Sequence, residues 1–443
     1  MSLTKVDRFR TLGALIRHLP ELGLGRVADP RKARGRRHRF SDLLTMALVG
    51  CTSGAKTLRE VEALGQDLDP VIRKRLGVQR LVADTTLRDL LVAIDPSELR
   101  GALRRGVKAR IRGKSVKHDR APLGVVSMDG KTTRTRLAVA PYAQRVEGAT
   151  LYGLVRTLSC TLISSNAFPC LDAVPIPAET NETGHFRVAF EDLCCHYDAD
   201  FERVMGDAAF ATASNADLVA VAGKAYTFQL KENGPTLLAE AMALLTGDDV
   251  VEKRGESERE EGQFVARRLR IVDVNTTDRN KVAWPTARRV MSVERLQMDA
   301  HDNVVAVLGI RYFITNLRRK RFSETQWLRT LRDRWAVENQ TASPQERARP
   351  VGAAGAARVG TLDIAFQEDD YPWIDEPQGM VNVMILRRIA MNILGIFRAV
   401  TLTSEDKRRT PWGRLFTLLR DALITATVAL LDGFRRRPTP ATQ

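Results

Sequence analysis

Apolar positions along the chain follow two rhythms. In the stretch from Phe40, Leu43, Leu44, Ala47 and Leu48 recur at helical spacing, and Ser41 is placed to cap the helix start. Further helices are expected over Leu58–Leu64, over Thr85–Leu91, and from Pro96 towards Arg105. From residue 121 the rhythm changes. The segments "LGVVSM", "TLSCTLIS" and "CLDAVPI" are β-rich and bounded by turn residues. After them a helix ("GHFRVAFEDLCCHY"), a strand ("ERVMGDAAF"), a helix ("TASNADLVAVAG"), a strand ("AYTFQL") and a helix ("PTLLAEAMALLT") alternate, which argues for an α/β layer structure. Residues 251–316 alternate apolar and polar positions with little helical signal, as a small antiparallel β insertion would. "SETQWLRTLRDRWAVENQ" returns to helix, the Ala/Gly/Arg-rich stretch 341–360 reads as a loop, and two apolar helices and a basic tail complete the chain.

This pattern divides the 443 residues into an N-terminal extension (1–29), a small helical domain (30–115), an α/β core in two parts (116–250 and 317–400) separated by the β-rich insertion (251–316), and a C-terminal helix with its tail (401–443). The core's second part holds the loop 341–360.

Charge narrows the class of partner. With 69 Lys+Arg against 53 Asp+Glu the chain carries +16, which favours a polyanion, nucleic acid first and an anionic membrane second. The opening "MSLTKVDRFRTLGALIRHLPEL" has no signal-peptide core. Arg420 and Asp421 interrupt the apolar C-terminal stretch, so no membrane span is expected and the protein is expected in the cytoplasm. Five cysteines without a C-x-x-C pair argue against a disulfide framework or zinc site and for buried apolar thiols. The six histidines show no metal-ligand spacing. Residues 100–120 hold nine Lys/Arg and one acid, Asp119. They are either a solvated linker or a strip that contacts DNA phosphates.

Three acids stand out. Asp129 follows the apolar run Leu123–Met128, Asp207 closes "RVMGD", and Glu338 shares a helical stripe with Leu328, Leu331 and Trp335. Each has an ordinary explanation: a hairpin turn for Asp129, a turn or helix cap for Asp207, an ion pair with Arg334 for Glu338. As a set they read differently. Two Asp at strand ends and a Glu on a later helix offer oxygen ligands alone, which suits Mg2+ or Mn2+. Two such ions about 3.5–4 Å apart could drive phosphodiester displacement. Lys131 and Arg334 are then candidates for phosphate contact.

The blocks "DPRKARGRRHRFSDLLTMALVGCTSGAKTLREVEALGQ", "VSMDGKTTR", "PAETNETGHF", "VMGDAAFATASNADLV", "YTFQLKENGPTLL" and "RDRWAVEN" together resemble the DDE transposases of bacterial insertion sequences, in the H-repeat-associated group. The resemblance runs from about residue 28 to residue 400. It implies an RNase H-like catalytic core, with Asp129, Asp207 and Glu338 as catalytic metal ligands. It also implies metal-dependent DNA cleavage and strand transfer, binding to terminal inverted repeats and target double-stranded DNA, and a homo-oligomer in the synaptic complex. Arg334 fits the Arg-x-x-x-Glu spacing of related transposases, whereas their Tyr and Lys are replaced by Leu331 and Gln345. One departure stands beside the resemblance: 22 residues separate Asn339 from Leu362, where the group has only a few. The alternative reading is accordingly a transposase-derived protein that binds DNA without cutting it. A nuclease of another kind on the same core is a third.

Overall fold

A computed structural model describes residues 4–34, 36–147, 151–260, 262–274, 282–318, 321–339, 366, 372–402, 404, 408 and 410–425, with the backbone alone for 5 and 335–339. Six helices come first: α1 (Lys5–Leu22), α2 (Phe40–Thr52), α3 (Leu58–Asp67), α4 (Pro70–Arg75), α5 (Asp84–Ala93) and α6 (Pro96–Arg112). Local chemistry sets several of their starts. Asp69 and Asp95 each accept a backbone N–H at a helix N-terminus whose first residue is proline, where a missing N–H costs nothing. Ser41 is not the cap expected of it: α2 already includes Phe40, and Arg39 occupies the cap position without a side-chain bond.

The strands are β1 (Val125–Thr135), β2 (Ala143–Val146), β3 (Tyr152–Leu162), β4 (Cys170–Ile176), β5 (Arg203–Gly206), β6 (Ala225–Leu230), β7 (Val251–Arg254), β8 (Glu258–Glu260), β9 (Gln263–Asp273), β10 (Arg289–Met298) and β11 (Val304–Thr315). Between and after them lie α7 (Glu182–Tyr197), α8 (Ala213–Val221), α9 (Pro235–Leu244), α10 (Glu324–Asn339), α11 (Pro377–Thr401) and α12 (Trp412–Thr425). All eleven strands join one mixed sheet in the order β2-β3-β1-β5-β6-β11-β10-β9-β7, with β4 on β3 and β8 on β9. β3 is antiparallel to β1 and to β4, whereas β1, β5 and β6 run parallel. The strands of 251–316 do not form a separate unit. Through β11, antiparallel to β6 over Tyr312–Thr315, they extend the central sheet.

Alternation along β1 and β5 separates two faces. Val126, Met128 and Val204 enter a core shared with α7 and the N-terminal helices. Val125 and Met205 enter a second core with Phe313, Trp327 and Leu331, the last two from α10. Helix α11 is apolar nearly all round, as a helix enclosed by protein must be. It packs on α2, α5, α6, β3 and β4, and its Asn382 side chain donates to the carbonyls of Leu91 and Ile94 at 2.8 Å.

The basic stretch 100–120 is largely committed inside the fold. Arg100 and Arg104 both pair with Asp172 of β4 and Asp192 of α7, Arg110 pairs with Glu21, and Arg120 pairs with Asp333. Arg105 donates to the carbonyls of Leu22 and Gly23. The stretch is neither a linker nor a free cationic strip, because α6 runs through it to Arg112 and its charges neutralise distant acids.

Candidate functional site

Asp129 does not end its strand. β1 continues to Thr135, and Asp129 pairs across with Ser159 in the middle of the β1–β3 ladder. What ends is the parallel partner. The β1–β5 register couples Val125, Val126 and Ser127 to Arg203, Val204 and Met205, and β5 stops at Gly206. Two residues further along that register, Asp129 stands beside Asp207. The two carboxylates expected to act together thus emerge from the same ends of adjacent parallel strands. Both residues are half-buried. Asp207 also caps the short 3-10 turn Ala208–Phe210, and its Oδ1 accepts from the Ala209 N–H at 2.9 Å. That bond fixes the carboxylate's orientation at the strand end. The ordinary reading of Asp207 as a cap and its placement at the site are therefore compatible.

Glu338 lies in the last turn of α10, and its side chain is outside the described residues. The helix itself packs on the sheet face that carries Val125 and Met205. Arg334, expected at a phosphate, is only 2 % exposed, so its guanidinium belongs to the packing of α10 and not to the surface. Lys131, two residues past Asp129 and on the same side of β1, lines a cleft together with it. Ser159 and Thr161 of β3 and Arg388 and Asn392 of α11 form more of that wall. Arg388 is 1 % exposed, with Nε 3.3 Å from Ser159 Oγ and Nη1 donating to Met384 O at 3.1 Å.

Two features of the site were missed from sequence. A Cβ at Gly130 would fall on the Glu182 carboxylate, so glycine lets the first residue of α7 press against β1 next to Asp129. The block "PAETNETGHF" held the signal for this contact, but no role for its Glu was drawn from it. Arg388 gave no local signal, because its meaning depends on where α11 crosses β3. Among the described residues, no group of three or more His, Cys, Asp or Glu stands arranged to hold a metal.

Residues 23–105 match the family model described as DDE_Tnp_1-associated, a match within the N-terminal helices that supports a DDE-type transposase. No curated protein matches the chain significantly. Among solved structures, the chain is similar to the piggyBac transposase synaptic complex with hairpin DNA. The identity is 11 % and the TM-score 0.39, over 96 % of this chain and 78 % of that one.

Proposed function

We propose that the chain is a DDE-type DNA transposase that cleaves DNA at the ends of an insertion sequence and transfers the cut strands. The observation that carries this reading is the parallel register that sets Asp129 beside Asp207. The order β4-β3-β1-β5-β6, with β3 antiparallel and β1, β5 and β6 parallel, supports an RNase H-like core around those two residues. Asp129, Asp207 and Glu338 are the proposed catalytic ligands. Their oxygen donors fit Mg2+ or Mn2+, and bound as a pair such ions supply an activated water or 3′-hydroxyl and a stabilised leaving oxygen. The protein's own residues do the rest. The Ala209 N–H holds Asp207, α10 brings Glu338 to the sheet, and Lys131 contacts a backbone phosphate. The proposed partners are the element's terminal inverted repeats and target DNA, bound by a homo-oligomer in the nucleoid-associated cytoplasm.

The test is strand cleavage of the DNA ends that flank the gene, with Mg2+ or Mn2+, by the parent and by Asp129→Ala. The parent should nick at the ends. Asp129→Ala should lose cleavage by several orders of magnitude while binding DNA within about threefold of the parent, because the substitution removes a ligand and not the cationic contacts. End-specific binding by the parent with no nicking would favour the alternative, a catalytically inactive transposase-derived DNA-binding protein. The 22 residues between Asn339 and Leu362 are the feature that favours that alternative.

A further inference from the structure

The cleft beside Asp129 is built as more than a wall. It encloses about 110 Å3 between α11, the β3–β4 turn and the first residue of α12. Three cations line it, Lys131, Arg388 and Arg398, against one acid, Asp129. Arg398 is the most telling of them. Its guanidinium stacks on the Trp412 ring with Cζ 3.8 Å from the centroid, and Nη2 donates to Thr410 O at 2.8 Å. Its Nε is buried with no hydrogen-bond partner, and no carboxylate compensates its charge among the described residues. Burial alone pushes its pKa down to about 10. An arginine held this way is costly unless an anion completes it. The other walls are apolar and aromatic, from Phe168, Met391 and Trp412. Gly395 makes the enclosure possible: a Cβ there would lie 2.7 Å from Ala167 O, so α11 could not approach the β3–β4 turn so closely. A cavity of about 150 Å3 is enough for benzene, so this one suits a planar ring of similar size.

We propose that this cleft binds one nucleotide of a DNA strand, with its phosphate on Lys131 and Arg398 and its base against Phe168 and Trp412. The cation excess selects the phosphate, and the aromatic walls, by stacking, accept any base. The proposal rests on the DNA-processing function above for the source of the nucleotide. Its binding, however, needs neither metal nor cleavage.

The test is calorimetric titration of the full chain in EDTA at ~0.15 M salt with deoxyadenosine monophosphate, deoxyadenosine and inorganic phosphate. The monophosphate should bind at least ~10-fold more tightly than either fragment, a difference of about 1.4 kcal/mol. Arg398→Gln should abolish that advantage and Arg398→Lys should keep part of it. Arg136→Gln, at a side chain 85 % exposed, should change nothing. Equal binding of monophosphate and nucleoside would overturn the proposal, as would an Arg398→Gln protein that binds like the parent. If Arg398→Gln does not fold, Trp412→Leu decides: it should bring the monophosphate down to the affinity of inorganic phosphate, and an unchanged ratio refutes the site. Nicking without monophosphate binding would sink this inference alone. Arg398-dependent binding without nicking would leave the pocket standing and remove the transposase reading.

Discussion

Arg120→Ala should loosen helix α10 while leaving the sheet intact. Arg120 lies just before β1 and sets two arms of its guanidinium on Asp333, Nε to Oδ2 at 2.8 Å and Nη2 to Oδ1 at 2.6 Å. Its remaining arm donates to Asn166 Oδ1 at 2.9 Å, Asn166 is itself held by Asp119, and the guanidinium lies over the Phe168 ring. The Asp333 side chain is 3 % exposed and that of Arg120 is 20 %. Removing the arginine strands a buried carboxylate, which costs about 3–5 kcal/mol for a fully buried pair. Solvent at Arg120 trims this to about 2–4 kcal/mol. At about 1.4 kcal/mol per tenfold, local opening of α10 should rise ~30- to ~700-fold. Native-state hydrogen exchange reads this directly, comparing amides of 327–334 with those of β1. The double variant Arg120→Met/Asp333→Leu should recover most of the protection, since apolar replacement of both partners is close to neutral. Amides in α10 of Arg120→Ala that exchange within about threefold of the parent would refute the clamp. So would a double variant as loose as the single.

Two further predictions concern stability. His18 is 6 % exposed, and burial, helped by the charges of Arg110 and Arg17, lowers its pKa from 6.5 to about 3. The unfolded chain therefore binds this proton more readily than the folded one, and stability should fall as pH drops below 6.5, by about 2 kcal/mol at pH 5. A His18→Gln protein whose melting temperature follows the same slope over pH 7 to 5 would remove His18 from the explanation. Gly395→Ala should cost about 1–3 kcal/mol, because the new Cβ meets the carbonyl of Ala167, which is backbone and cannot swing aside. An unchanged melting temperature would show that α11 is free to move at this crossing.

Much of the fold could be read from local pattern, and its failures share one cause. The 3.6-residue spacing and the Asp-Pro starts mark the helices, and the Val- and Ile-rich runs mark the strands. β1 was read too short, because Thr132, Thr133, Arg134 and Thr135 lack apolar alternation. They are strand all the same, since β3 supplies a partner for each from Gly153 to Arg156. The insertion was read as a separate unit because nothing local states that β11 will pair with β6, some 80 residues earlier. In each case a non-local partner overrides the local signal.

Charge is where this distinction bears on function. A run of nine cations at 100–120 looks like a surface for DNA, yet four of them are spent on Asp172, Asp192, Glu21 and Asp333, acids that lie far away in sequence. A cation is available to a ligand only where the fold leaves it without an acid. Arg104 and Arg398 illustrate the two outcomes. Both sit on helices and both are largely enclosed. Arg104 lies between two carboxylates, whereas Arg398 meets a tryptophan face and one carbonyl. The count of +16 therefore predicts a polyanionic partner for the chain as a whole but not where that partner sits. The place is set by the balance within each enclosed volume, and beside Asp129 that balance is three cations to one acid. A phosphate drawn there would lie next to the carboxylate pair at the ends of β1 and β5, where a phosphodiester must come if those residues are to act on it.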